Sequence, residues 1–255
     1  MQSVDILGVN VSAVNPRQAV EQVLAWVKSG WRGYVCVAPV STLVDCQRVL
    51  GYREVINGAG MVTPDGMPVV WLVKFKGCRD VARTYGPDLM RLVCDQGRRQ
   101  GLKHFLFGAT AQTLEILKEN LQRQYPDIRI VGAVSPPLMT EAGKADDVLI
   151  EGINASGADI VWVGLGSPKQ NFWMYHNRPY LKAPVLVGIG AAFDFIAGVK
   201  PQAPRWMQKA GLEWLFRLCC EPKRLWKRYL VGNSLFFYYM IKDLMTISPR
   251  EGKAR

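Results

Sequence analysis

At 255 residues, 49% hydrophobic and 21% charged, the chain is long enough to bury a sizeable core, which excludes a disordered polyelectrolyte and fits one α/β domain with an appendage better than two independent domains. Its net charge of +11 is unevenly spread, because residues 200–255 hold 12 Lys+Arg against 4 Asp+Glu and so carry +8 of it. The cysteines at 36, 46, 78, 94, 219 and 220 form no Cys-x-x-Cys pair, and with only His104 and His176 beside them they support neither a zinc site nor a disulfide framework.

The opening Met-Gln-Ser-Val-Asp-Ile-Leu-Gly has no basic segment followed by an apolar one, so it predicts a first strand rather than an export signal, and a cytoplasmic protein. Residues 4–9, 34–38, 61–63, 103–107, 128–131, 159–163 and 185–189 predict strands, several of them apolar on both faces as a buried, mainly parallel sheet requires. Between them lie helical patterns, such as residues 15–28, with Asn15 as cap and Pro16 in the first turn, and residues 110–124, with Thr110 as cap. The expected product is a three-layer α/β/α sandwich. A boundary falls near Pro201 and Pro204, giving a core of residues 1–198 and an appendage of residues 199–255.

The appendage is basic and aromatic, with Trp206, Trp214, Phe216, Trp226, Tyr229, Phe236, Phe237, Tyr238 and Tyr239. Such a mixture suits an anionic lipid surface or a nucleic acid. Its apolar run over residues 229–241 contains Gly232, Asn233 and Ser234 and falls short of the roughly 20 residues needed to cross a bilayer. It is expected to lie on a membrane, with Phe236 and Phe237 among the lipid contacts, although aromatics at helical spacing also pack inward as a helical cap.

Three places carry residues suited to chemistry. Val163-Gly164-Leu165-Gly166-Ser167-Pro168-Lys169-Gln170 follows a strand and opens a helix, where Gly164 and Gly166 let the backbone approach a ligand. There Ser167 is expected to cap, Pro168 to take the first helical position, and the helix end with Lys169 and Gln170 to hold a diphosphate. An ordinary glycine turn fits the same spacing, and neither the Rossmann fingerprint nor a P-loop is met. Next, Val62-Thr63-Pro64-Asp65-Gly66 ends a strand in a carboxylate at the sheet edge, a place for a general base or for a simple turn. Finally, Arg217, Arg224 and Arg228, with Lys227 beside them, would share one stripe of a continuous helix and could clamp phosphate or face solvent. The acidic pair Asp146-Asp147 reads as a solvated face, and no metal site is expected.

Gly190-Ala191-Ala192-Phe193-Asp194-Phe195, Ala203-Pro204-Arg205-Trp206-Met207, Gly211-Leu212-Glu213-Trp214-Leu215, Arg217-Leu218, Glu221-Pro222 and the run from Arg224 to Tyr229 resemble the C-terminal signature of the WecG/TagA/CpsF glycosyltransferases. Thr63-Pro64-Asp65-Gly66, Arg83, Gly86, Asp88, Phe107-Gly108, Tyr125-Pro126 and residues 164–170 extend the resemblance over nearly the whole chain. It implies a Rossmann-like GT-E fold and a metal-independent, inverting hexosyltransferase without a cofactor. Such an enzyme would move a hexose or N-acetylhexosamine from a UDP-sugar, its substrate, to a polyprenyl-diphosphate-linked saccharide for a bacterial cell-envelope polymer or exopolysaccharide. It further implies Asp65 as catalytic base, Gln170 in the substrate pocket, and Arg83, Arg217, Arg224 and Lys227 serving phosphates, the last three from an appendage that completes the site at the membrane. The implied location is the inner face of the cell membrane, peripherally bound, with no nucleic-acid partner and a homo-oligomer left open. Departures stand at Ala38-Pro39-Val40, where the family usually has Thr-Pro-Asn, at Gln202 in place of an Arg, and at Asn171 in place of a Glu; each is expected to bear on sugar recognition. A basic nucleic-acid-binding protein and a nucleotide-sugar isomerase or epimerase are the competing readings.

Overall fold

The structure, a computed structural model, describes residues 1–136 and 147–247. The chain opens with an antiparallel hairpin of β1 (Ser3–Ile6) and β2 (Val9–Ser12), not with the single strand expected over residues 4–9. Leu7 and Gly8 turn it at φ 56° and 77°, the left-handed pair whose twist matches a tight hairpin. The apolar alternation runs straight through that turn, and only Gly8 marks it.

Helix α1 (Pro16–Ser29) starts as its residues dictate. The Asn15 side chain accepts from the Gln18 amide at 3.0 Å while Gln18 Oε1 accepts from the Asn15 amide at 3.0 Å, a reciprocal capping box. Then follow β3 (Gly33–Ala38), α2 (Val40–Arg48), α3 (Tyr52–Asn57), β4 (Met61–Pro64), α4 (Met67–Phe75), α5 (Gly86–Arg98), β5 (Lys103–Gly108) and α6 (Ala111–Gln124), the last capped by Thr110. After β6 (Arg129–Val134) come α7 (Asp147–Ala155), β7 (Ile160–Gly164), α8 (Lys169–Asn177), β8 (Val185–Gly188) and α9 (Ala192–Ala197). Asp146 lies outside the described residues, and Asp147 stands in the first turn of α7.

The other six strands form one sheet whose five pairings are all parallel, in the order β4-β3-β8-β7-β5-β6. Helices cover both faces, so β3 is buried at every position. One core, with Val23 of α1, Val93 of α5 and Leu117 of α6, fills one side; the other holds Leu43 of α2, Val70 of α4 and Trp173 of α8. This is the expected mixed α/β sandwich around a parallel sheet.

The appendage continues as α10 (Arg205–Lys209), α11 (Glu213–Cys220), α12 (Pro222–Trp226), a π turn over Lys227–Val231 and α13 (Gly232–Ile247). The continuous helix that would align Arg217, Arg224 and Arg228 does not form. Glu221, at φ −134° and ψ 60°, ends α11, and Pro222 starts a new helix because it has no amide to extend the old one. Phe236 is also corrected: it is 5% exposed and belongs to the core that includes Leu43 of α2, against which Leu235, Tyr239 and Met240 of the same helix also pack. Burying one such ring stabilises the docked helix by about 1.5–3 kcal/mol. Phe237, in contrast, is exposed. Polar ties reinforce the docking, since Arg205 grips Asp88 of α5 through two bonds of 2.7 and 3.0 Å.

Candidate active site

Two chambers open side by side at the carboxyl ends of β3, β4, β7 and β8, where open α/β sheets hold ligands. A polar one of about 360 Å³ is lined by the strand-end loops, among them Gly166, Lys169, Gln170 and Gly190, and by Arg224. An apolar one of about 300 Å³ is lined by Val40, Met67, Pro68, Trp214, Tyr229, Phe236 and Phe237. Pro39, Asp65, Arg217 and Arg228 border both.

Asp65 stands at this seam because β4 ends one residue before it, its amide still bonded to Ala38 O at 3.2 Å. Gly66, at φ 103°, then turns the chain into α4 through a conformation that suits only glycine. The Asp65 carboxylate accepts from Arg83 Nε at 3.0 Å, and Arg83 Nη2 donates to Glu213 Oε2 at 2.6 Å. The guanidinium also lies 4.1 Å over the Tyr85 ring. One cation is thus shared by two carboxylates, and all three side chains are largely buried, at 16%, 14% and 12% exposure for Asp65, Arg83 and Glu213. Burial pushes the Asp65 carboxyl above the usual carboxylate range; Arg83 pulls it down and Glu213 pushes it up again. A carboxylate made more basic and held by a fixed guanidinium is suited to take a proton.

Arg83, expected on phosphate, is instead committed to the two carboxylates. Arg217 and Arg228 are not: neither forms an ion pair with any described carboxylate. Arg217 lies 5.4 Å over the Phe195 ring. Arg228 donates to Ser41 Oγ from Nε and Nη2 at 3.1 and 2.8 Å, and burial holds its guanidinium below its usual range. Cations that border a cavity and form no ion pair of their own can receive an anion. The amino end of α5 adds to the positive field, since Gly86 and Pro87 line the polar chamber and no side chain caps that helix. Arg224 reaches the same chamber while paired with Glu221. Lys227 does not reach it; it is exposed, with its ammonium 5.5 Å from the Trp226 ring centre.

The glycine loop is organised differently from expectation. Gln170 Oε1 accepts from the Gly166 amide at 3.2 Å and from the Gly190 amide at 2.9 Å, stitching the β7 and β8 loops together. Those two amides are therefore turned onto Gln170, itself 2% exposed, and not into the chamber. Ser167 does not cap α8; its Oγ is 3.4 Å from Gln170 Nε2, the Ser167–Pro168 bond is cis, and the helix begins at Lys169. Gly164 is a packing glycine, because a Cβ there would come within 2.4 Å of the Phe193 ring. Lys169 is exposed on the chamber wall.

Of the three departures, Val40 lines the apolar chamber, whereas Asn171 points away from both, fully buried with Nδ2 donating to Tyr52 OH at 2.8 Å. Gln202 lies outside both chamber walls, its Nε2 buried without a partner among the described residues. Glu213 and Ser41 were given no role from sequence. Glu213 stands in the Gly-Leu-Glu-Trp-Leu motif, which was its signal; Ser41 had none. Among the described residues no group of three His, Cys, Asp or Glu side chains is placed to hold a metal ion, and no helix is long and apolar enough to cross a membrane.

Residues 4–250 match the glycosyl transferase WecG/TagA/CpsF family, nearly the whole chain, and the protein belongs to that family. Its chemistry is the transfer of a sugar.

Proposed function

We propose that the enzyme transfers a hexose or N-acetylhexosamine from a UDP-sugar to a saccharide on a polyprenyl diphosphate, with inversion, for an envelope polymer or exopolysaccharide. One observation carries this reading: Asp65 stands where a polar, arginine-bordered chamber meets an apolar one. The polar side suits a nucleotide diphosphate and the apolar side suits the first part of a lipid-linked acceptor.

In this scheme the acceptor hydroxyl gives its proton to the Asp65 carboxylate as its oxygen attacks the anomeric carbon. The bond from that carbon to the diphosphate oxygen breaks, and UDP leaves with the electron pair. Arg217 and Arg228 meet the charge that develops on the leaving oxygen, and Arg224 can exchange Glu221 for phosphate as the donor binds. Arg83 and Glu213 keep Asp65 aimed at the seam. A single displacement on one face of the sugar inverts its configuration.

The test is a panel of UDP-sugars offered with a lipid-diphosphate saccharide, read by mass for the gain of one sugar and by NMR for the anomeric configuration. A retained configuration, or isomerisation of a UDP-sugar without acceptor, would overturn the scheme.

A further inference from the structure

Helix α4 has apolar side chains on two faces. Val69, Val70 and Val73 face the core, whereas Trp71 and Phe75 are 52% and 84% exposed. Met67, one turn before Trp71, lines the apolar chamber. Met67, Trp71 and Phe75 therefore form one stripe at i, i+4 and i+8 that starts in the chamber wall and runs out to the surface. The other wall repeats the pattern. Phe237 of α13 lines the chamber while 67% exposed, and Ile241, one turn on, is 54% exposed. The turn leading into α11 packs against the α4 stripe, since a Cβ on Gly211 would lie 3.4 Å from the Trp71 ring. Basic residues accompany the aromatics along the chain: Lys74 precedes Phe75, Arg79 follows it by four positions, and both are exposed, while the appendage carries most of the positive charge.

We propose that α4 is a membrane-docking element of the catalytic core, its Trp71–Phe75 stripe seated in an anionic bilayer beside α13 so that the apolar chamber opens directly onto lipid. This rests on the reading that the acceptor is lipid-linked. Two large aromatics one turn apart, continuous with an apolar chamber and flanked by cations, match the boundary layer of a bilayer, where rings sink among headgroups and Lys and Arg meet lipid phosphate. An apolar protein partner would not call for the flanking Lys74 and Arg79.

The full chain is tested by flotation with vesicles of phosphatidylglycerol and phosphatidylcholine in equal parts, against phosphatidylcholine alone. Wild type is expected to float with the anionic vesicles. Trp71→Ser with Phe75→Ser is expected to weaken that binding by at least about tenfold, and Lys74→Glu or Arg79→Glu by about fivefold each at low salt. The aromatic variant should keep the wild-type melting temperature and wild-type transfer to a short-chain, water-soluble acceptor, and lose rate only on a long-chain acceptor held in vesicles. Failure on the soluble acceptor by wild type itself would strike the proposed function and not the docking surface. Equal flotation of wild type and aromatic variant would overturn the docking role of α4, as would a wild type that stays off the vesicles. A wild-type dimer that the same substitutions render monomeric would assign the face to a second copy of the chain.

Discussion

The two chambers that meet at Asp65 are built by different means. The polar chamber takes its wall from strand ends and the loops after them, backbone held by hydrogen bonds such as the Gln170 clasp. The apolar chamber takes its wall from side chains on α2, α4, α11 and α13, held by packing. A backbone wall has one shape, whereas a wall of Met, Phe and Trp side chains adapts to a flexible chain. Donor recognition on this reading is rigid and acceptor recognition compliant, with Asp65, Arg217 and Arg228 common to both. Substitutions at the seam should lower turnover, and substitutions in one wall should weaken only its own substrate.

Asp65→Asn should have the largest effect, lowering kcat by about 100-fold or more while UDP binding by calorimetry stays unchanged. Because burial raises the Asp65 pKa above its unfolded value, the folded state favours the protonated form there, and stability falls as pH rises from the unfolded pKa through the folded one. Above that window the neutral Asn should leave the melting temperature at or above that of wild type; a marked drop would make Asp65 a structural residue. Arg217→Ala comes next, with kcat down by about 100-fold and UDP bound more weakly, because this guanidinium has no carboxylate to satisfy instead. Wild-type kinetics for this variant would remove the diphosphate from the seam.

Glu213→Gln tests the shared guanidinium and should cost about 3–10-fold in kcat at neutral pH. Its pH profile is the sharper measure. Loss of the Glu213 charge lowers the Asp65 pKa, so the rising acid limb of kcat should move to lower pH; an unmoved limb would confine Glu213 to holding the appendage. The smallest effect belongs to Phe237→Ser, expected to raise KM for a long-chain acceptor by about fivefold and leave KM for the UDP-sugar alone. Equal changes in both constants would mean that the walls do not divide the substrates.

What the sequence made legible follows from how local each cause is. The caps at Asn15 and Thr110 depend on neighbours three residues away, and both form as their residue types require. The place of Asp65 at the sheet edge was legible because an apolar strand ends just before it and a glycine follows. The arginines were legible as residues but not as an arrangement, since the stripe assumed a helix that Pro222 interrupts, although the proline was there to be read. Phe236 and Phe237 are adjacent and chemically alike, so only the docking of α13 on α2 decides which is buried. Arg83 and Glu213 are 130 positions apart, and Ser41 and Arg228 are 187 apart. Nothing in local spacing joins them.

The single oxygen of Gln170 that receives the Gly166 and Gly190 amides has a consequence for how a donor is admitted. Two loops fastened to one atom cannot part separately without giving up one of its two hydrogen bonds, which costs about 0.5–1.5 kcal/mol. The pocket floor is therefore shaped during folding, and the entropy of ordering it is spent before any ligand arrives. On the proposed reading, sugar choice on that side is a matter of fit to an outline set before the donor arrives.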